Sequence, residues 1–177
     1  MADTSAGQPV SGGGIGLPAL NALPAQAAER VMRACCAAGE WARAMVAARP
    51  FASAEQLYAA AERTIASMDE DAADEALADH PRIGERLGGA GAAWSRQEQA
   101  GVGTAGEATR AALAVGNAEY ERRFGHVYLV SAAGRTGEEL LAVLRGRLDN
   151  DRETERQVVR RELARITRLR LERVVGR

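Results

Sequence analysis

The sequence has 177 residues, of which 46% are hydrophobic and 4% aromatic, and its formal net charge is −1. This length suits one domain with a substantial core, and abundant alanine and leucine with short β-branched runs predict an all-α, single compact multi-helix fold. No apolar run approaches the roughly 20 residues that cross a bilayer. No basic and apolar leader opens the sequence, so we expect a cytoplasmic protein.

Residues 1–16 are predicted to form a flexible tail because they hold five glycines among small polar residues. The domain is expected to occupy residues 17–177. Its first helices are predicted around Leu20, from Pro24 to Cys36, from Gly39 to Ala48, and from Ser53 through Ile65. The adjacent thiols Cys35 and Cys36 lie in an apolar helical run, which predicts buried free cysteines in a reducing compartment.

The acidic segment 69–78 is predicted to be a helix that ends just before His80. Pro81 disfavours helical geometry at the residue before it, so the imidazole should lie at a helix C-terminus. The helix dipole there favours the protonated ring. His80 is therefore a candidate general acid or base, and a purely structural histidine at a helix end is the alternative.

A glycine-rich loop is predicted over residues 84–94, followed by a short helix from Ser95 to about Gly101. Ser95-x-x-Glu98 fits a capping box, in which both side chains bond to free amides of the first helical turn. Ser53, Thr104 and Thr136 begin the same pattern, so helix capping is by itself a sufficient explanation for Ser95 and Glu98. Free amides at a helix N-terminus also attract anions, which leaves a substrate-binding role open.

Three longer helices are expected in the second half of the chain: Thr104–Arg123, one opened by Thr136, and one opened by Asp151. Val127–Val130 has the composition of a strand. Because no second run could pair with it, we expect an extended connector.

The last predicted helix carries an apolar stripe made of Val159, Leu163, Ile166, Leu169 and Val174. At about 100° per residue, Arg170 projects near the centre of this stripe, whereas Arg161, Arg165 and Arg168 point to solvent. A guanidinium on a core-facing stripe must reach solvent, pair with a carboxylate, or meet an anion in a cavity. These three alternatives stay open at this point.

Other potential sites are weaker. His80 and His126 are the only histidines, so no metal-ligand set is expected, and His126 is interpreted as a connector residue. The Gly88–Gly91 stretch lacks the Lys-Ser/Thr of a phosphate loop. The arginines of residues 152–177 alternate with glutamates and have no aromatic platform, which favours a solvated helix face over a nucleic-acid site.

Several motifs together resemble the OHCU decarboxylase family of uric acid degradation in order and spacing. They are His80-Pro81, Ser95-x-x-Glu98-Gln99-x-Gly101, Asn117-x-x-Tyr120-x-x-x-Phe124-Gly125, the connector Val127 to Ala133, Gly134-Arg135-Thr136, and Ile166-x-x-Leu169-Arg170-Leu171. Trp41 and Arg49-Pro50-Phe51 also resemble the N-terminal half of the family. The resemblance spans roughly residues 17–175.

The resemblance implies an all-helical homodimer that converts 2-oxo-4-hydroxy-4-carboxy-5-ureidoimidazoline (OHCU) to (S)-allantoin and carbon dioxide, with no metal or organic cofactor. It assigns His80 and Glu98 as catalytic residues. The implied substrate contacts are Pro81, Ser95, Gln99, Leu129, Val130 and Arg170. Many members have an acidic residue and Leu-Ala-Gly after His-Pro, whereas this chain has Arg82-Ile83-Gly84-Glu85, which changes the charge beside the imidazole.

The implied chemistry suits these side chains, because the unsaturated ring can accept the electron pair left by carbon dioxide. We expect His80 to handle the 4-hydroxyl proton with Glu98 as the orienting carboxylate, while Arg170, Ser95 and Gln99 hold polar groups of the ring. The alternatives are a non-catalytic helical interaction module with a polypeptide partner, and a nucleic-acid binder acting through the arginine-rich C-terminus.

Overall fold

The computed structural model describes residues 14–78, 80–84 and 97–176. Within these ranges the regular structure is helical and includes no strand, which confirms the all-α prediction. The helices are α1 (Leu17–Ala22), α2 (Ala25–Cys35), α3 (Gly39–Ala47), α4 (Ala54–Ser67), α5 (Glu70–Ala78), α6 (Ala100–Gly103), α7 (Glu107–Phe124), α8 (Gly137–Arg147) and α9 (Arg152–Val175). No helix in the described part of the chain is long and apolar enough to cross a membrane.

The N-terminal helices α1–α5 pack with α9 around one hydrophobic core. Trp41 and Met45 of α3 are fully buried in it. The indole N–H of Trp41 donates to the backbone oxygen of Ala61 at 3.3 Å, so its polar atom is satisfied inside the core. Helix α9 packs along α4, which brings the end of the chain against its N-terminal half.

Helices α7 and α8 form a second core with the connector that joins them. Leu113, Leu140 and Leu144 are fully buried there. The segment 127–130 lies in neither a helix nor a strand, which agrees with the predicted connector. Its Tyr128 hydroxyl donates to the backbone oxygen of Leu140 at 3.1 Å, which fastens the connector to α8.

Helix starts follow the predicted caps at three of the four predicted sites that lie within the described residues, and the fifth site, Ser95, lies outside them. The Ser53 hydroxyl accepts from the amide of Gln56, Thr136 forms a complete capping box with its N3 glutamate, and Asp151 caps α9. The prediction for Thr104 is wrong, since α7 begins at Glu107 with Gly106 as its N-cap. The Thr104 hydroxyl donates backwards to the Gly101 oxygen at 3.0 Å and so helps to close α6.

Two residues that precede Leu17, Ile15 and Gly16, contact the rest of the domain. Ile15 packs against the first core, and the Gly16 amide donates to the Val174 oxygen at 3.2 Å. Residues 1–13 of the predicted tail lie outside the described residues.

A buried ionic network joins α7, α8 and α9. The Arg147 guanidinium donates from Nε to Oε1 of Glu155 at 2.7 Å, and Glu155 is fully buried. The Tyr120 hydroxyl also donates to Glu155, and Asn150 donates to its other oxygen at 2.7 Å. Burial raises the pKa of Tyr120, which keeps its hydroxyl a donor. Every oxygen of this buried carboxylate is thereby satisfied.

Gly101 in α6 is required by a close approach of two backbones. A Cβ at this position would lie 2.0 Å from the backbone oxygen of Arg135, whereas a Cβ at Gly103 would meet nothing within 4 Å. We expect Gly101→Ala to lower the free energy of unfolding by about 1–3 kcal/mol through overpacking, and Gly103→Ala to leave it nearly unchanged. Urea denaturation of the two variants measures this difference. Equal stability of both would show that α6 can shift away from Arg135 without loss.

Candidate active site

A cavity lies where the two cores and the connector meet. Its lining includes His80 and Pro81, Glu98 and Gln99, the connector residues 128–133, and Arg170 of α9. The structure therefore brings together every predicted site residue that it describes. Ser95 lies outside the described residues, so its predicted role stays a prediction.

His80 lies just beyond the C-terminus of α5, as the proline after it predicted. Its Nδ1 is 2.7 Å from the backbone oxygen of Ala76, and only 8% of the residue is exposed. Because a carbonyl oxygen can only accept, Nδ1 carries a hydrogen and the neutral ring has its basic lone pair on Nε2. The imidazole thus ends the helix and also lines the cavity. A structural role for His80 therefore does not exclude a catalytic one.

Glu98 and Arg170 form a bidentate ion pair in the cavity wall. Arg170 donates from Nε to Oε1 at 3.1 Å and from Nη2 to Oε2 at 3.0 Å. Both residues are buried, which rules out the alternative that Arg170 reaches solvent. The guanidinium therefore both pairs with a carboxylate and faces a cavity. Glu98 orients Arg170, a partnership that the sequence did not predict. The expected roles of Glu98, orienting His80 and taking part in catalysis, stay predictions.

Arg173 is a second cation on the same carboxylate. Its Nη1 lies 3.1 Å from Oε1 of Glu98, and 31% of its side chain is exposed. The sequence analysis missed this residue because it lies off the centre of the apolar stripe. The only signal was its position three residues after Arg170, which places both on one helical face.

Gln99 holds the segment that follows His80 and Pro81. Its side-chain oxygen accepts from the Gly84 amide at 3.0 Å, and its nitrogen donates to the Arg82 oxygen at 3.4 Å. Asn117 of α7 donates to the Ile83 oxygen of the same segment at 2.9 Å. Gln99 therefore fixes one wall of the cavity, and its contact with the substrate stays a prediction.

The Arg82 guanidinium, the main departure from the family pattern, is paired with α7. It donates to the two carboxylate oxygens of Glu121 at 2.6 and 2.9 Å. The hydrogen bond from Arg82 holds the pKa of Glu121 below its usual range. The added charge beside His80 is thus matched by an opposite charge.

Two charged side chains, one from α8 and one from α9, hold the backbone of the connector in place. Arg147 Nη1 donates to the Leu129 oxygen at 2.6 Å, and the Ser131 amide donates to Oε2 of Glu162 at 2.7 Å. A buried segment outside helices and strands needs such partners for its backbone groups. The sequence analysis missed both anchors, since nothing local links α8 and α9 to these connector residues.

The two cysteines are buried free thiols, as predicted. Burial raises the pKa of Cys35 to about 12 and that of Cys36 to about 11, so both stay protonated at neutral pH and are poor nucleophiles. In the described ranges no three His, Cys, Asp or Glu side chains lie close enough together to hold a metal ion.

Two solved structures share this helical arrangement. One is a crystal structure of OHCU decarboxylase in the presence of (S)-allantoin, with a TM-score of 0.71 and 25% identity over 81% of this chain and 95% of that chain. Another, (S)-allantoin synthase, has a TM-score of 0.72 and 18% identity over 92% of this chain and 54% of that chain, and shows the fold alone. The fold is thus that of a decarboxylating lyase family.

The family model for OHCU decarboxylase matches residues 21–172. The 2-oxo-4-hydroxy-4-carboxy-5-ureidoimidazoline decarboxylase of Amia calva is 34% identical over 140 residues, which cover 76% of this chain and 79% of that protein. The chain belongs to the OHCU decarboxylase family.

Two further relatives are longer proteins. The uric acid degradation bifunctional protein TTL of Arabidopsis thaliana is 29% identical over 144 residues, or 78% of this chain and 44% of the relative. The uric acid degradation bifunctional protein PucL of Bacillus subtilis is 28% identical over 73% of this chain and 26% of the relative. The chain thus spans less than half the length of these bifunctional relatives.

Proposed function

We propose that this protein decarboxylates OHCU to (S)-allantoin in urate and purine degradation. The observation that carries the proposal is the convergence of His80, Glu98 and Arg170 on one cavity, in a chain of this family. These residues come from three separate parts of the sequence. A buried imidazole beside a paired guanidinium offers a proton carrier and a cation for an anionic substrate.

In the proposed reaction the bond between C4 and the carboxylate breaks, and its electron pair moves toward the neighbouring C5–nitrogen double bond. The π pair of this double bond moves onto the ring nitrogen, which takes a proton from solvent. C4 becomes a carbonyl as the 4-hydroxyl loses its proton, and C5 gains a proton on one face, so the carboxylate substrate takes up one net proton as carbon dioxide leaves. The ring itself accepts the electron pair, so this step needs no electron sink from a cofactor. His80 takes the hydroxyl proton at Nε2, the nitrogen left basic by the bond from Nδ1 to Ala76.

The other residues that line the cavity would bind the substrate. Arg170 offers its positive charge to polar groups of the ring or to the carboxylate, in an orientation fixed by its two bonds to Glu98. Pro81, the side chain of Gln99 and the backbone of Leu129 and Val130 complete the surface, and all of them line the cavity. We assign Ser95 to the same surface on the resemblance to the family alone.

Circular dichroism tests the reaction directly. Urate oxidase and hydroxyisourate hydrolase generate OHCU from urate, and spontaneous decay gives no excess of either enantiomer of allantoin. We expect this protein to accelerate the appearance of the (S) signal in proportion to its concentration. An unchanged decay rate with no optical activity would contradict the proposal and would favour a non-catalytic interaction module.

The resemblance also supports a homodimer and a small-molecule substrate, and the composition and patterning of the sequence support a cytoplasmic protein with a domain at residues 17–177 and no nucleic-acid partner. Light scattering coupled to size-exclusion chromatography is expected to give twice the 18.7 kDa mass of the chain. A monomer at assay concentrations would contradict the dimer and would leave the proposed reaction standing.

Arg170→Lys is expected to lower kcat/KM about tenfold to a hundredfold. Lysine keeps the charge and loses the planar fork that makes two bonds to Glu98, so the cation is no longer held in a fixed orientation. Steady-state kinetics measure the change, and Arg165→Lys on the exposed side of α9 is the matched control. An unchanged kcat/KM for Arg170→Lys would assign this pair to stability rather than to substrate handling.

A further inference from the structure

Glu98 lies between two arginines of α9. Arg170 donates to both of its oxygens, and Arg173 adds a third bond to Oε1 at 3.1 Å. Residues three apart on a helix share a face, so one carboxylate receives two guanidinium groups from the same side of α9. The formal charge of this trio is +1.

Arg173 changes the net charge of the cavity wall. The bidentate pair of Glu98 and Arg170 is neutral as a unit, and a neutral pair attracts an anion weakly. Arg173 restores one positive charge to this wall, next to the cavity that Glu98 and Arg170 line. A partly enclosed site with one excess charge concentrates ligands of the opposite charge.

We propose that Arg173 is a positioning residue that selects a carboxylate-bearing substrate, by offsetting the charge of Glu98 so that Arg170 acts as a net cation. The inference rests on the proposed function, in which the substrate carries a carboxylate and the product (S)-allantoin carries none. Arg173 thus favours binding of the substrate over retention of the product. An ordinary exposed salt bridge would instead contribute little to binding or stability.

The partial exposure of Arg173 makes the proposal testable without disturbing the core, since 31% of its side chain faces solvent. Arg173→Met removes the charge and keeps much of the apolar stem. Arg173→Lys keeps the charge, and a single bond from Nη1 is a contact that an ammonium group can replace. Arg168→Met is the matched control, because Arg168 also lies on α9 and pairs with two glutamates that do not line the cavity, Glu62 and Glu172.

The experiment measures kcat and KM for enzymatically generated OHCU, and the inhibition constant of (S)-allantoin, for the wild type and the three variants. We expect Arg173→Met to raise KM about fivefold to twentyfold, with kcat within about twofold of the wild type. Arg173→Lys should restore KM, and Arg168→Met should leave it unchanged. The inhibition constant of uncharged (S)-allantoin should stay the same in all four proteins.

Two results would overturn the inference. One is an unchanged KM for Arg173→Met, which would make Arg173 an ordinary surface ion pair. The other is an equal weakening of substrate and (S)-allantoin binding, which would mean that the cavity has changed shape. A wild-type protein without activity would instead contradict the proposed function, so the two failures are distinguishable.

Discussion

His80→Ala is expected to lower kcat by about 10²- to 10⁴-fold, the usual contribution of a positioned general acid or base. The imidazole lines the cavity, and its Nδ1 is committed to the Ala76 oxygen, which directs proton transfer to Nε2. The helical circular dichroism spectrum should be unchanged, because α5 already ends at Ala78. Single-turnover formation of (S)-allantoin measures the effect.

His126 provides the matched control for this experiment. It is the other histidine of the chain and lies beside the aromatic rings of Tyr120 and Phe124 rather than among the residues that line the site cavity. We expect His126→Ala to keep most of the rate. If His80→Ala also kept most of the rate, the imidazole would have no part in the mechanism.

Glu155→Ala is expected to lower the free energy of unfolding by about 3–5 kcal/mol, because it leaves the buried charge of Arg147 without its carboxylate. Glu155 is fully buried and accepts hydrogen bonds from Arg147, Tyr120 and Asn150. Urea denaturation followed by circular dichroism gives the value. The exposed Glu153→Ala, two residues earlier in α9, should change stability by less than about 1 kcal/mol.

A double substitution distinguishes the cost in stability of losing the ion pair from the cost of leaving one buried charge without a partner. Arg147→Met combined with Glu155→Leu removes both ions and keeps apolar volume, so it should be less destabilising than either single removal. Fully additive losses would mean that each side chain acts through separate contacts. Arg147 also donates a hydrogen bond to the Leu129 oxygen in the connector that lines the cavity. Because the double variant loses this bond as well, we expect its KM to be higher than that of the wild type.

Features of the site that depend on local chemistry could be predicted from the sequence. Pro81 fixed the end of α5 and hence the location of His80, and helical periodicity placed Arg170 on the buried side of α9. Capping patterns identified the starts of α4, α8 and α9. Thr104 shows the limit of such patterns, because its hydroxyl bonds to the preceding turn and α7 starts three residues later than predicted.

Features that depend on contacts between distant segments could not be predicted. Glu98 and Arg170 are 72 residues apart. Each one alone has a simpler structural explanation, Glu98 as a helix-capping residue and Arg170 as part of a surface ion pair. The anchoring of the connector by Arg147 and Glu162 likewise depends on how α8 and α9 pack. Periodicity indicates which face of a helix is buried, but it does not say which carboxylate a buried arginine meets.

The most direct test of the central claim, that one cavity bounded by His80 and Arg170 carries out the reaction, is a crystal structure of this protein with (S)-allantoin. We predict the product in that cavity, with its ring within hydrogen-bonding distance of the imidazole Nε2 and of the Arg170 guanidinium. Product bound elsewhere on the molecule, with this cavity empty at saturating concentration, would contradict the account.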